Sequence, residues 1–349
     1  MKIREKLMTG LIAIMLCVGL TSAAHAVLID LDGTGGLTGA VNIGSFDWNA
    51  TSFLAQGGQT AIANFQAGTC GVTACNFTVL SQGRLQGVND PNGNPVVVNG
   101  LNTSYEITYV VKLTETITSV VGTQANFAVV PGATGFVNIY FSSPINSNPI
   151  NGSGFNDGTL ILRGTTVGNA TGNFTVSNGT AVNLDNSPNG NQYDNQQTIT
   201  GSGRTDTIPF DTLTTNPDFF KQALAVFGIA FSNLSQSVPF DSVDPMGCFV
   251  SNDLNQLQCS TYSHVNGQPY SGQLADANGG IIPKVGAVNG AACSGTVAGI
   301  AAGCPDFVAQ TDPNSPFTPS AVPEPASFLL LGLGVVGLAA YRRRKLANK

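Results

Sequence analysis

The sequence predicts a mainly β protein whose exported part is an antiparallel β-sandwich or jelly-roll-like domain, with at most one short helix among its strands. Three observations carry this. In YEITYVVKLTETIT, residues Tyr105, Ile107, Tyr109, Val111, Leu113 and Ile117 are apolar, while Glu106, Thr108, Lys112, Thr114, Thr116 and Thr118 are polar. That period of two is the mark of a strand buried on one face. The runs GFVNIYF (Gly135 to Phe141), GTLILRG (Gly158 to Gly164) and NFTVS (Asn173 to Ser177) read the same way. Asn-Gly pairs beginning at Asn92, Asn99, Asn151, Asn178 and Asn189 supply hairpin turns. Short strands separated by turn residues favour a sandwich or jelly roll over a barrel.

The first element in chain order is a leader. Lys2, Arg4 and Lys6 form a basic start, Leu11 to Leu20 an apolar run, and Ala24-His25-Ala26 an A-x-A site. These are the parts of a secretory signal peptide over residues 1–26, handled by the secretion machinery and cut by signal peptidase to leave Val27 first. The alternative, a true N-terminal membrane helix, is disfavoured because the apolar run is short and ends in small residues.

Residues 27–310 form the exported β domain. Between Val27 and Val322 there are 6 Lys and Arg against 18 Asp and Glu, a net charge of −12. That balance excludes a cationic groove for nucleic acid. Aromatic and β-branched residues are too frequent for a disordered chain. The segment PDFFKQALAVFGIAF (Pro217 to Phe231) is ambiguous, since Asp218 would cap a helix with Phe219, Leu224 and Phe227 on its apolar side. From Asp244 to Cys304 the alternation fades into loops.

Six cysteines remain after signal cleavage, in three local pairs: Cys70 with Cys75, Cys248 with Cys259, and Cys293 with Cys304. Outside the cytoplasm such pairs are expected as disulfides, and sequential pairing closes the shortest loops. Zinc at Cys70 and Cys75 is the alternative. It needs two more thiolates or imidazoles, and the exported chain holds one histidine, His264.

No catalytic set emerges. His264 follows Ser263, but no G-x-S-x-G elbow is present. A glycosidase needs two carboxyls facing each other across its substrate, whereas Glu106 and Glu115 stand nine residues apart in one strand and point to opposite faces. No cofactor is expected, with calcium at Asp30 and Asp32 of IDLDGTGG as the candidate exception. A third acidic ligand and a distal Glu are missing from that loop.

The last two elements are a Pro/Ser/Thr linker, TDPNSPFTPSAV over residues 311–322, and a tail over 323–349. The tail joins Pro323-Glu324-Pro325 to an apolar run, Ala326 to Tyr341, and a basic end over 342–349 that opens with Arg342, Arg343, Arg344 and Lys345. Sixteen helical residues cover about 24 Å, just short of a hydrocarbon core of about 30 Å. A single transmembrane helix stopped by basic residues on the cytoplasmic side is the expectation. G-x-G-x-x-G at Gly332, Gly334 and Gly337 is accidental, because too little chain follows it for a dinucleotide fold.

This tripartite tail resembles the PEP-CTERM sorting signal of Gram-negative bacteria. The resemblance implies recognition by a membrane-embedded exosortase, an inner-membrane intermediate, and delivery to the cell surface or extracellular matrix of bacteria that make exopolysaccharide. A plain tail anchor that is never cut is the alternative. The stretches FDWNATSFLAQGGQTAI (Phe46 to Ile62) and FTVLSQGRL (Phe77 to Leu85) resemble the opening of the flocculation-associated PEP-CTERM group. That similarity implies a non-enzymatic matrix protein that supports aggregation with exopolysaccharide or other matrix components as partners. The rival is a secreted hydrolase or lyase acting on the polysaccharide.

Overall fold

The computed structural model describes residues 26–37, 39–130, 135–147, 154–183, 197–232, 234–235, 264–265, 268–269 and 307–319. The leader up to His25, the tail from Pro323 onward, and the cysteines Cys248, Cys259, Cys293 and Cys304 lie outside them. Strands dominate. The N-terminal ones are β1 (Val27–Ile29), β2 (Val41–Ile43), β3 (Ser45–Trp48), β4 (Thr51–Gln56), β5 (Asn76–Asn89) and β6 (Pro95–Val96). The middle of the chain supplies β7 (Glu106–Val121), β8 (Gln124–Val129), β9 (Phe136–Ser142), β10 (Thr159–Thr166), β11 (Thr171–Asn183) and β12 (Gln197–Thr205). Then come β13 (Ile208–Thr215), β14 (Leu224–Ser232), β15 (Leu234–Ser235), β16 (His264–Val265), β17 (Gln268–Pro269) and β18 (Phe307–Pro319).

Every pairing between these strands is antiparallel, and the main ladder returns to its start. β5 pairs β7, which pairs β9; the order continues through β10, β13 and β14 to β18, and β18 pairs β3 and β4, both of which pair β5. The expected antiparallel architecture is present. Its closure is an addition, since alternation within a strand carries no information on whether the first and last strands of a sheet meet. Closure leaves no open edge in this ring. A branch leaves it at β7, whose 106–112 half pairs β9 while its 115–121 half pairs β8, leading on to β11, β12 and β15.

The apolar side of β7 forms the centre of the core. Ile107, Tyr109, Val111, Leu113 and Ile117 are buried with Trp48, Phe46, Phe210, Phe227 and Phe317. Trp48 Nε1 donates to Ser315 Oγ at 2.8 Å, and its ring meets those of Tyr109 and Phe46 edge-on. The Tyr109 hydroxyl lies 2.9 Å from Ser81 Oγ. Burial drives the Tyr109 phenol far above its usual range. Gly83 is required opposite this ring, because a Cβ there would come within 2.6 Å of it.

Among the described residues, one helix, α1 (Gly58–Gln66), interrupts the strands. Gly57 starts it in the left-handed region at φ 79°, a conformation that glycine adopts without steric cost. Ala61 and Ile62 turn into the core, and α1 packs on β5 and β7.

Three local expectations are corrected. The ambiguous 217–231 segment is a turn followed by β14, because Phe227, Ile229 and Phe231 alternate inward as a strand. Asn178-Gly179 lies within β11 at register shifts and is not a hairpin turn. The expected linker is β18 as far as Pro319: Thr311, Ser315 and Phe317 are buried, so small polar residues supply the inward positions of a real strand.

Candidate functional site

The IDLDGTGG turn brings its two acids together and ties them to a distant part of the chain. Asp30 N donates to Phe219 O at 2.8 Å and Lys221 N to Leu28 O at 3.0 Å. The Asp30 carboxylate accepts from Thr34 Oγ1 and Gly35 N, each at 3.1 Å, and Asp32 Oδ1 accepts from Thr34 N at 3.0 Å. Gly33 sits at φ 68° against the Phe219 ring, where no side chain fits.

The Lys221 ammonium stands 3.7 Å from Asp30 Oδ2 and donates to Asp218 O and Pro217 O at 2.8 and 3.2 Å. Burial pushes the Asp30 carboxyl up, and neighbouring Asp32 pushes it further. Burial raises Asp32 as well, but hydrogen bonds from Thr34 and Asp30 outweigh it and hold Asp32 down. Of the two, Asp30 is therefore the more readily protonated. Tyr105, buried and near both acids, is pushed up to about 12. Lys221 thus supplies the positive charge beside the carboxyls that were candidate calcium ligands. Among the described residues, no group of three or more His, Cys, Asp and Glu is arranged to hold a metal.

The two glutamates of β7 have opposite environments. Glu106 is fully buried on the side turned away from the core, under residues 143–147 and 154–157. Its Oε1 accepts from Asn146 N at 2.7 Å and Ser147 N at 2.8 Å, Oε2 accepts from the Ser147 hydroxyl, and Arg84 NH1 lies 3.8 Å away. Thr108 Oγ1, on the same face, donates to Phe155 O at 2.8 Å. Glu115 shares the core face with Leu113 and Ile117 and sits between Phe77 and Val129 of the flanking strands. Its Oε2 has no hydrogen-bond partner, and burial pushes its carboxyl up to about 8. Neither glutamate opens onto a surface that a polymer could reach.

The sequence did not reveal the covering of Glu106. Residues 143–157 read as an ordinary loop of Ser, Asn, Gly and Pro, and nothing in that composition shows that Asn146, Ser147 and Phe155 meet the face of β7. A lone Glu amid Ile and Tyr was the available signal.

Cys70 and Cys75 form a disulfide with Cα atoms 5.0 Å apart, beyond the end of α1. Both sulfurs are thereby committed, which removes the zinc alternative for this pair. His264 lies in β16, paired with β17. The residues that carry the flocculation-group resemblance are largely internal: Phe46 and Trp48 are core, Gly57 starts α1, and Phe77 and Val79 face inward. Asp47 between them points away from the core, with its carboxyl raised by burial and by Asp312.

Residues 321–345 match the family model of the PEP-CTERM protein-sorting motif. No curated protein and no solved structure matches the chain. The matched segment contains the Pro323-Glu324-Pro325 triplet, the apolar run and the basic residues Arg342 to Lys345 in the order expected. The motif makes the chain a PEP-CTERM sorting-signal protein, and it implies export and processing by exosortase on the way to the cell surface.

Proposed function

We propose that the protein acts outside a Gram-negative cell as a non-enzymatic matrix component that supports aggregation within exopolysaccharide. The sorting signal is the observation that carries this reading, because it delivers an acidic β domain to the surface where such polymer lies. The closed ladder suits a durable scaffold. The burial of Glu106 and Glu115 on opposite faces of β7 argues against these two residues serving the rival hydrolase, since a glycosidase's carboxyl pair must flank a bond in the substrate.

Mass spectrometry of protein recovered from the cell surface or culture medium is expected to find Val27 as the first residue and no peptide beyond the Pro-Glu-Pro region. An intact 342–349 end on the delivered protein supports the uncut anchor instead. Deletion of the gene is expected to leave polysaccharide production unchanged and to abolish settling of the cells. Restoring the full chain recovers settling, and a chain lacking residues 323–349 does not. Normal settling of the deletion strain, or shortening of the polymer by purified protein, overturns the reading.

A further inference from the structure

We propose that the cleft between the end of β9 and the start of β10 is a binding subsite for one uncharged sugar unit, which deepens the matrix reading by naming a ligand class and rests on that reading for its biological use. The cleft has a volume of about 420 Å³, with Phe141, Ser142, Pro144, Asn146, Asp157 and Thr159 among its lining residues. Sites for small ligands run from about 300 to 1,000 Å³. This one accepts a single ring with its substituents and not a long oligosaccharide.

The lining selects the chemistry. Ser142, Ser143 and Thr159 offer hydroxyls, Asn146 an amide and Asp157 a carboxylate, and no Lys or Arg is among them. Sugar hydroxyls both donate and accept, so they complement this set. A phosphate or a uronic acid meets Asp157 without a compensating cation. An extended peptide has no free edge to join, because β9 is paired on both sides, with β7 and β10. Pro144 provides the apolar surface that the C–H face of a sugar needs, since the Phe141 ring is engaged with Tyr105 and Phe219.

A second observation points to a ligand. Ser142 is 7% exposed, and its Oγ has no hydrogen-bond partner. A buried hydroxyl left unpaired is costly, and this one sits just beneath the cleft wall, closed to solvent, where rotation about the Cα–Cβ bond would bring it to a ligand. The opposite wall is already in place. Asn146 Nδ2 donates to Asp157 Oδ2 at 2.8 Å, Ser143 Oγ donates to Ser104 O at 3.1 Å, and Glu106 holds the backbone of Asn146 and Ser147. Little ordering remains to be done on binding, which favours a site of this small size. The single-site affinity expected is millimolar, and many copies on one surface multiply it along a polymer.

The test is saturation-transfer NMR and titration of the delivered protein with the methyl glycosides of glucose, galactose, mannose and N-acetylglucosamine, with glucuronic acid as the charged comparison. At least one neutral glycoside is expected to bind at millimolar concentration, and glucuronic acid is not. Asp157→Ala is expected to weaken binding about tenfold or more, and Ser142→Ala by about fivefold, with thermal unfolding lowered slightly by Asp157→Ala, which loses the Asn146 contact, and unchanged or raised by Ser142→Ala. A purely structural Ser142 leaves binding untouched. Absence of binding by every neutral glycoside at about 50 mM, tighter binding of glucuronic acid, or equal binding by both variants overturns the subsite. Introduced into the deletion strain, the variants separate the two readings. Settling rescued equally by wild type and by variants that have lost sugar binding removes the subsite's role in aggregation, whereas a deletion strain that settles normally removes the matrix reading itself.

Discussion

Glu115→Gln is expected to stabilise the folded protein by about 2 to 3 kcal/mol at neutral pH and to remove most of the pH dependence that this residue imposes. The carboxyl is held at about 8 in the folded protein, against an ordinary value of 4.5. Below the ordinary value, folded and unfolded chains both keep the proton, and the residue has no electrostatic effect on stability. As pH rises toward about 8, the unfolded chain loses the proton while the folded chain retains it. Unfolding is then favoured by about 1.4 kcal/mol per pH unit. Above that range both states are ionised, and the loss is complete. Gln keeps the shape without ionising, less a smaller cost for its own buried amide. Urea unfolding of both forms at about pH 5 and about pH 8 is the measurement, and the gap between them widens with pH. A constant gap sinks the prediction. Other titrating groups, such as Asp30, are common to both proteins and cancel in the difference.

Glu106→Ala acts in the opposite direction, costing about 3 kcal/mol. The substitution strands the N–H groups of Asn146 and Ser147, the Ser147 hydroxyl and the Arg84 guanidinium, all of which Glu106 now serves. Asn146 and Ser147 lose their main anchor, so limited proteolysis beside them is expected to accelerate along with the drop in unfolding midpoint. Stability within about 1 kcal/mol of wild type and unchanged proteolysis show that Thr108 and the Asn146–Asp157 contact suffice.

The same strand shows how much of the fold was legible. Tyr105, Ile107, Tyr109, Val111, Leu113 and Ile117 alternate in the sequence and are all buried, because a single apolar face needs only local spacing to be recognised. The burial of Glu106 and Thr108 depends on a loop some forty residues away, at Asn146 to Phe155, and local spacing holds no trace of it. β18 was hidden for a related reason. Its inward positions Thr311 and Ser315 are polar, and Ser315 earns its place through the Trp48 indole, a partner 267 residues distant. Pro217 to Phe231 misled because Phe219, Leu224 and Phe227 fit a helical stripe loosely, while Phe227, Ile229 and Phe231 fit a strand throughout. The sorting motif was readable, since such a signal is a linear order of residues and needs no tertiary partner. The sugar cleft was not, because the ends of β9 and β10 build it jointly.

β18 also determines when the domain can finish folding. It is the last described strand, and it joins β14 to β3 and β4, so the ring stays open until the chain has been exported almost to its end. During that interval Trp48 waits for Ser315, and contacts so distant in sequence form slowly. Pro319 is followed by only three residues before Pro323, a span of at most about 14 Å from one proline to the other. Folding and sorting consequently meet at one place in the chain: the strand that completes the ring ends within a few residues of the sorting motif, so the approach to that motif depends on whether the ring has closed.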